Sequence, residues 1–256
     1  MQTLSMRIQY DGSGYHGWQR QSRMKSVQQT LEKVLSKVFN QTIEIDGSGR
    51  TDAGVHALGQ CVSFKVNLTM PIENVKFVVN RRLPSDIYVE CVTLRSDDFH
   101  ARYCAIGKTY VYKIYTDQAR NPFLDKYAFH FEHALDITAI KDAMRHFIGT
   151  YDFKTFMASG SNTENTVRTI YRFDLEVVAN ELVFTITGDG FLYNMVRIII
   201  GTLIHVGTGK IKVSDIPSII ESEDRNRAKY TAPAHGLYLK SVYYSEDDLQ
   251  KIISKN

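Results

Sequence analysis

The chain has 256 residues, 43% hydrophobic and 23% charged, an ordinary globular balance with material for one large domain or two modest ones. A formal net charge of +3 permits a nucleic-acid partner without requiring one. Three scattered cysteines, Cys61, Cys91 and Cys104, form no CxxC pair, which speaks against a disulfide framework or structural zinc site and fits a reducing cytosol.

The N-terminus, MQTLSMRIQYDG, has neither the charged start nor the apolar run of a secretory signal. Alternation at Leu4, Met6, Ile8 and Tyr10 predicts a strand entering a turn at DGSG, 11–14. SVQQTLEKVLSKVFN (26–40) predicts a helix capped by Ser26, with Gln29 as capping-box partner and Val27, Leu31, Val34, Leu35 and Val38 on one face. TIEIDG (42–47) and CVSFKV (61–66) read as strands, so the glycine-rich stretch between them is a connection. PIENVKFVVNRRL (71–83) suits a helix with Pro71 near its start, and IYVECVTL (87–94) a strand. KTYVYKIYT (108–116) is a strand with Tyr110, Tyr112 and Ile114 on one face. DITAIKDAMRHFIG (136–149) predicts an amphipathic helix ending at Gly149. Strands follow at about 168–178 and 181–188, then a long apolar helix over 191–207, a short helix over 213–222, a late strand over 236–244 and a helical or frayed tail. The apolar segment 195–206 is short and contains Arg197 and His205, so it is no simple membrane span. The order suggests two α/β halves, 1–105 and 106–256, packed as one body. DGSG recurs at 46–49, an echo attributed to chance.

DGSGRTDAGVHALGQ (46–60) raises the question of Asp52. Gly47, Gly49, Gly54 and Gly59 let the backbone approach a ligand closely, or they merely make a long connection in which Asp52 is a turn former. Locally the turn outweighs catalysis. The stretch lacks the lysine and spacing of a P-loop. Arg50 would share a side of an extended segment with Asp52, serving a phosphate or a weak surface ion pair. Basic residues recur beside aromatic ones, at Trp18–Arg20, Arg102–Tyr103, Lys108–Lys113 and Arg168–Arg172. This suits unstacked RNA, although ordinary strand composition explains any single pair. Arg197 interrupts an apolar helix, so it either has a carboxylate or ligand partner or snorkels from a polar edge. His130 and His133 have a metal-like spacing without supporting ligands, and His56 follows Asp52 with no helix to align the two, so no metal site is expected.

GRTDAGVHALGQ (49–60) resembles the signature loop of the tRNA pseudouridine synthase A family. YDGSGYHGWQRQ, SVQQTLEKVL, NRRLPSDI, DDFHARYCA, KTYVYKIY, FLYNMVRIIIGTLIHVG and TAPAHGLYL resemble further family segments in the same order, over all but the last dozen residues. Departures at Ser48 and Asn194 touch none of the matching site positions. The resemblance implies an α+β fold of two α/β halves meeting along a central antiparallel sheet, with helices on the outer faces and a basic cleft. It implies isomerisation of uridine to pseudouridine at positions 38, 39 and 40 of the tRNA anticodon stem-loop. It further implies a cytoplasmic homodimer with tRNA as partner, no membrane, and no metal, nucleotide or redox cofactor. Asp52 matches the nucleophile, Arg197 the arginine paired with it, Tyr110 the tyrosine that stacks on the target base, and Arg50 an arginine associated with base flipping. Leu239 matches a residue lining the base pocket.

Overall fold

The computed structural model describes residues 1–160 and 163–254. Its strands and helices run β1 (Gln2–Tyr10), α1 (Val27–Phe39), β2 (Asp46–Gly47), β3 (His56–Val66), α2 (Ile72–Asn80), β4 (Ile87–Arg95), β5 (Gly107–Tyr115), β6 (Phe129–His130), α3 (Ile137–Arg145), β7 (Gly149–Asp152), β8 (Val167–Val178), β9 (Glu181–Gly188), α4 (Met195–Gly207), α5 (Ile216–Glu221), β10 (Leu237–Tyr243) and α6 (Glu246–Ile253). This is a mixed α+β fold whose strand pairs are mostly antiparallel. Contacts separate it into two units, Met1–Ile106 with Tyr238–Ser245, and Gly107–Leu237 with Glu246–Asn256.

In the first unit β1 lies between β3 and β4, antiparallel to both, in a register that sets Leu4 opposite Phe64 and Met6 opposite Val62 and Val92. Leu4, Met6, Ile8, Val62 and Val66 are wholly buried, as the alternation predicts. The other edge of β3 pairs with β2 at Val62–Ser63 and, in parallel, with β10 at His56–Ala57. α1 buries Val27, Leu31 and Leu35 but turns Phe39 inward in place of Val38.

The predicted strand at 42–47 shrinks to Asp46–Gly47. Ile43 and Ile45 are buried in alternation as expected, but their backbone bonds go to α1 instead of a strand. Ile43 N–H donates to Ser36 Oγ (2.9 Å), Ile45 N–H donates to Glu32 Oε1 (3.2 Å), and Gln28 Nε2 donates to the Ile45 carbonyl (3.0 Å). This bonding explains Glu32, a buried glutamate on a helix face that otherwise reads as apolar. Burial pushes its carboxyl upward, opposed by the bond from Ile45 and by the Arg20 guanidinium at 3.3 Å.

In the second unit the sheet order is β5–β9–β8–β7, antiparallel throughout, with β6 parallel to β5. Helices α3 and α4 pack together, and Phe147, Phe153 and Phe156 form an edge-to-face cluster beneath them. Burying rings of this size contributes roughly 1.5–3 kcal/mol each. The predicted helix over 136–149 ends at Arg145, because Gly149, with φ +127°, opens β7 instead of capping. The helix predicted from 191 starts at Met195. Asn194 takes a left-handed φ of 60°, so FLYN is a turn that delivers the chain to α4. α4 is buried on nearly all sides, and Gly201 faces the Tyr230 carbonyl so closely that a Cβ would lie 2.1 Å from its oxygen. Among the described residues no helix is long and apolar enough to cross a membrane.

Candidate active site

Asp52 is half-buried between β2 and β3, in a loop anchored through its backbone. Thr51, one residue earlier, is 7% exposed, and its hydroxyl bonds the Tyr10 hydroxyl at 2.8 Å. The Thr51 carbonyl accepts the Trp18 N–H at 2.9 Å. The Trp18 carbonyl accepts the Gln28 N–H at 3.0 Å, and the Gly17 carbonyl accepts that of Val27. Both N–H groups belong to the first turn of α1, where no intrahelical acceptor exists. Ser26 Oγ takes a third from Gln29, as the capping signature predicts. The residue before Asp52 is therefore tied through Trp18 to a helix N-terminus. Gly17 permits this approach. Its φ of +85° excludes most side chains, and a Cβ there would lie 2.7 Å from the Thr51 carbonyl oxygen.

Beyond Asp52 the chain turns through Gly54, with Val55 N–H donating to the Asp52 carbonyl (3.1 Å). Of the four glycines read as freeing this loop, Gly54 alone takes a positive φ, 78°. His56 is 2% exposed and stacks on Tyr238 with ring centroids 4.7 Å apart. Its Nδ1 is 3.1 Å from the Gly12 amide and 3.2 Å from an Asp11 carboxylate oxygen. It accepts from the amide when bare and donates to the carboxylate when protonated. Arg50 is exposed, whereas Asp52 is half-buried. Leu239, opposite Ala57 in the β10–β3 pairing, is fully buried.

The first DGSG and the residues after it cradle the loop that follows the second, with Gly12 N–H donating to His56 Nδ1 and the Tyr15 carbonyl accepting the Gly54 N–H. Tyr15 extends that cradle by donating to Asp86 Oδ1 at 2.6 Å, while Lys25 lies 4.2 Å over its ring. Burial, followed by the Asp86 bond, holds the Tyr15 hydroxyl protonated far above the usual tyrosine range. YDGSGYHGWQRQ and NRRLPSDI, distant in sequence, thus meet at Asp86, whose carbonyl also accepts the Asp11 N–H at 2.9 Å. Single-sequence reading missed this role for Tyr10, Thr51 and Gly17. The available signal was a glycine beside a tryptophan in a segment too short for a core element.

In the second unit Tyr110 is 8% exposed on β5, its ring edge-on to Phe191 at 5.1 Å. Arg197 is half-buried on α4. Its Nε donates to the Ala232 carbonyl (2.8 Å), its Nη1 to Asn194 Oδ1 (2.6 Å), and its own carbonyl accepts the Ala232 N–H (3.0 Å). The guanidinium is thus oriented within its own unit by one backbone carbonyl and by the side chain of Asn194, a departure from the family pattern expected to touch no site position, which in fact bonds Arg197. Tyr112 is core, its hydroxyl donating to the Pro233 carbonyl at 2.8 Å, and Trp18 is 3% exposed. Neither of these aromatic residues offers RNA a free ring face. His130 is bonded to the Asp117 carbonyl and stacked on Tyr115.

The sequence profile of the tRNA pseudouridine synthases matches residues 6–104 and 143–245. The chain belongs to the tRNA pseudouridine synthase family. The tRNA pseudouridine synthase A of Acetivibrio thermocellus is 46% identical over 95% of this chain and 100% of its own length. That of Bacillus subtilis is 44% identical over 94% and 98%. A solved archaeal box H/ACA sRNP Nop10-Cbf5 complex is similar over 90% of this chain and 58% of that chain, at 10% identity and a TM-score of 0.37, too distant to bear on the site. The family match includes Arg50, Asp52, Arg197 and Leu239. Tyr110 falls in the stretch between its two segments.

Proposed function

We propose that the protein isomerises uridine to pseudouridine in tRNA, at positions 38, 39 and 40 of the anticodon stem-loop, with Asp52 as nucleophile. The observation that carries this reading is the fixing of the backbone beside Asp52, in a chain whose family acts in tRNA pseudouridine synthesis by name. A carboxylate that must meet one sugar carbon gains from such pre-organisation. The N1–C1′ bond breaks, the uracil turns, and C5 bonds to C1′ while C5 gives up its proton and N1 takes one. Asp52 either adds at C1′ or removes a sugar proton on a glycal route. Arg197 pairs with the Asp52 carboxylate, and Tyr110 stacks on the base once it has left the helix stack. Arg50 contacts RNA at the flipping step, and Leu239 lines the base pocket. The enzyme works as a cytoplasmic homodimer without a cofactor.

The test is Asp52→Ala and Asp52→Asn on unmodified tRNA transcripts, with pseudouridine mapped by chemical labelling. Both variants fold, bind tRNA and form no product. Near-normal turnover by Asp52→Ala overturns the nucleophile assignment. Modification confined to uridines outside 38–40 in the wild type overturns the positional one.

A further inference from the structure

We propose that Thr51 and Tyr10 are positioning residues for the Asp52 carboxylate, a role that rests on Asp52 being the nucleophile. Thr51 supplies the carbonyl of the peptide unit whose nitrogen belongs to Asp52. That carbonyl is held by the Trp18 N–H at 2.9 Å, and on the same residue the hydroxyl is held by Tyr10 at 2.8 Å. Two bonds reaching one residue through different groups fix the orientation of its peptide plane as well as its place. The plane in turn fixes where the Asp52 Cα–Cβ bond starts.

Both hydroxyls are buried, at 4% exposure for Tyr10 and 7% for Thr51, so water does not replace a lost partner freely. Tyr10 is also well placed to hold something still. It ends β1, where it pairs with Ala57 on one side and Ile87 on the other, and its ring lies 6.2 Å from that of Trp18. The bond therefore runs from the end of a strand paired on both edges to the residue next to the carboxylate. The loop has further anchors in the Trp18 bond and the Val55–Asp52 turn, so the hydroxyl pair is not its sole attachment. What the bond adds is direction.

The readout is steady-state kinetics on tRNA transcripts for Thr51→Val, which keeps shape and removes the hydroxyl, Thr51→Ser, which keeps the hydroxyl, Tyr10→Phe, and the double variant Tyr10→Phe/Thr51→Val. Asp52→Ala is the control. Misplacing a reacting group by about 1 Å costs on the order of 100-fold in rate. Thr51→Val and Tyr10→Phe each lower kcat by about 10- to 100-fold, with KM for tRNA within about twofold of wild type. The double variant is no slower than the worse single one, and Thr51→Ser recovers most of the rate. Wild-type kcat in both single hydroxyl deletions, with Asp52→Ala inactive, overturns the positioning role and leaves the nucleophile standing. Losses that multiply in the double variant, a change confined to KM, or failure of Thr51→Ser to recover the rate also overturn it. An active Asp52→Ala removes the nucleophile reading itself.

Discussion

Gly201→Ala sets two effects of opposite sign against each other. Replacing an interior helix glycine with alanine stabilises a helix by about 1 kcal/mol. Here, however, the new Cβ would lie 2.1 Å from the Tyr230 carbonyl oxygen and 2.8 Å from its carbon. The obstacle is backbone, so no side chain can swing away. The approach is nearly 1 Å inside the 3.0 Å that real Cβ atoms respect, and the 228–232 segment must move off α4. Overpacking of this kind costs about 1–3 kcal/mol, and a rigid obstacle takes the upper end. The net is a loss of about 2 kcal/mol, which lowers Tm by roughly 4–8 °C in a chain of this size. The same movement strains the Thr202–Ala228 bond (3.0 Å) and the two Arg197–Ala232 bonds, so turnover falls with stability. Thermal unfolding and tRNA turnover are measured for Gly201→Ala alongside Gly14→Ala, where a Cβ meets nothing within 4 Å. A Gly201→Ala protein as stable as wild type, or more stable, would refute the close approach and the orientation of Arg197 argued from it.

Leu239→Ala leaves a cavity at a fully buried position and costs about 2–5 kcal/mol, read by denaturant titration. Unchanged stability with raised KM for tRNA would mean that Leu239 faces substrate alone and not the core. Burial first of all, aided by the Asp86 bond at Tyr15 and by Cys61 at Tyr244, raises the pKa of Tyr15, Tyr112 and Tyr244 in the folded state. A raised folded value means stability is complete below the unfolded value of about 10 and is lost as pH climbs above it. The denaturant midpoint therefore falls as pH rises above about 10, less steeply in Tyr15→Phe, and a midpoint constant to about pH 11 contradicts this.

Element types were legible wherever one face decides them. Ser26 followed by Gln29 announced α1, and the alternation from Leu4 to Tyr10 announced β1 with its buried side. The misreadings share a cause, which is a partner outside the window. Ile43 and Ile45 alternate like a strand, but polar side chains of α1 take their backbone bonds. Gly149 looks like a helix cap until the strand it opens, opposite Ile170, is known. Asp52 was ambiguous for the same reason. What fixes its loop is a tyrosine 42 positions earlier, at Tyr10, and a backbone amide at Trp18, and neither leaves a mark on residues 46–60. Arg197 was legible as odd, since a charge in an apolar helix needs an acceptor. That part of its need is met by the Ala232 carbonyl, a backbone group, could not be read from residue types.

The pairing of β10 with β3 has a consequence in time. The edge of β3 at His56–Ala57 is covered by Tyr238 and Leu239, about 180 residues further along the chain. A ribosome adding about 5–20 residues per second spends roughly 7–26 s between finishing Ile106 and reaching Tyr238. Through that interval the strand leaving the Asp52 loop has open N–H and C=O groups, a template for pairing with another chain. The loop is among the first parts of the protein to be made and among the last to be completed, so a nascent chain released short of β10 would carry Asp52 without His56's stacking partner.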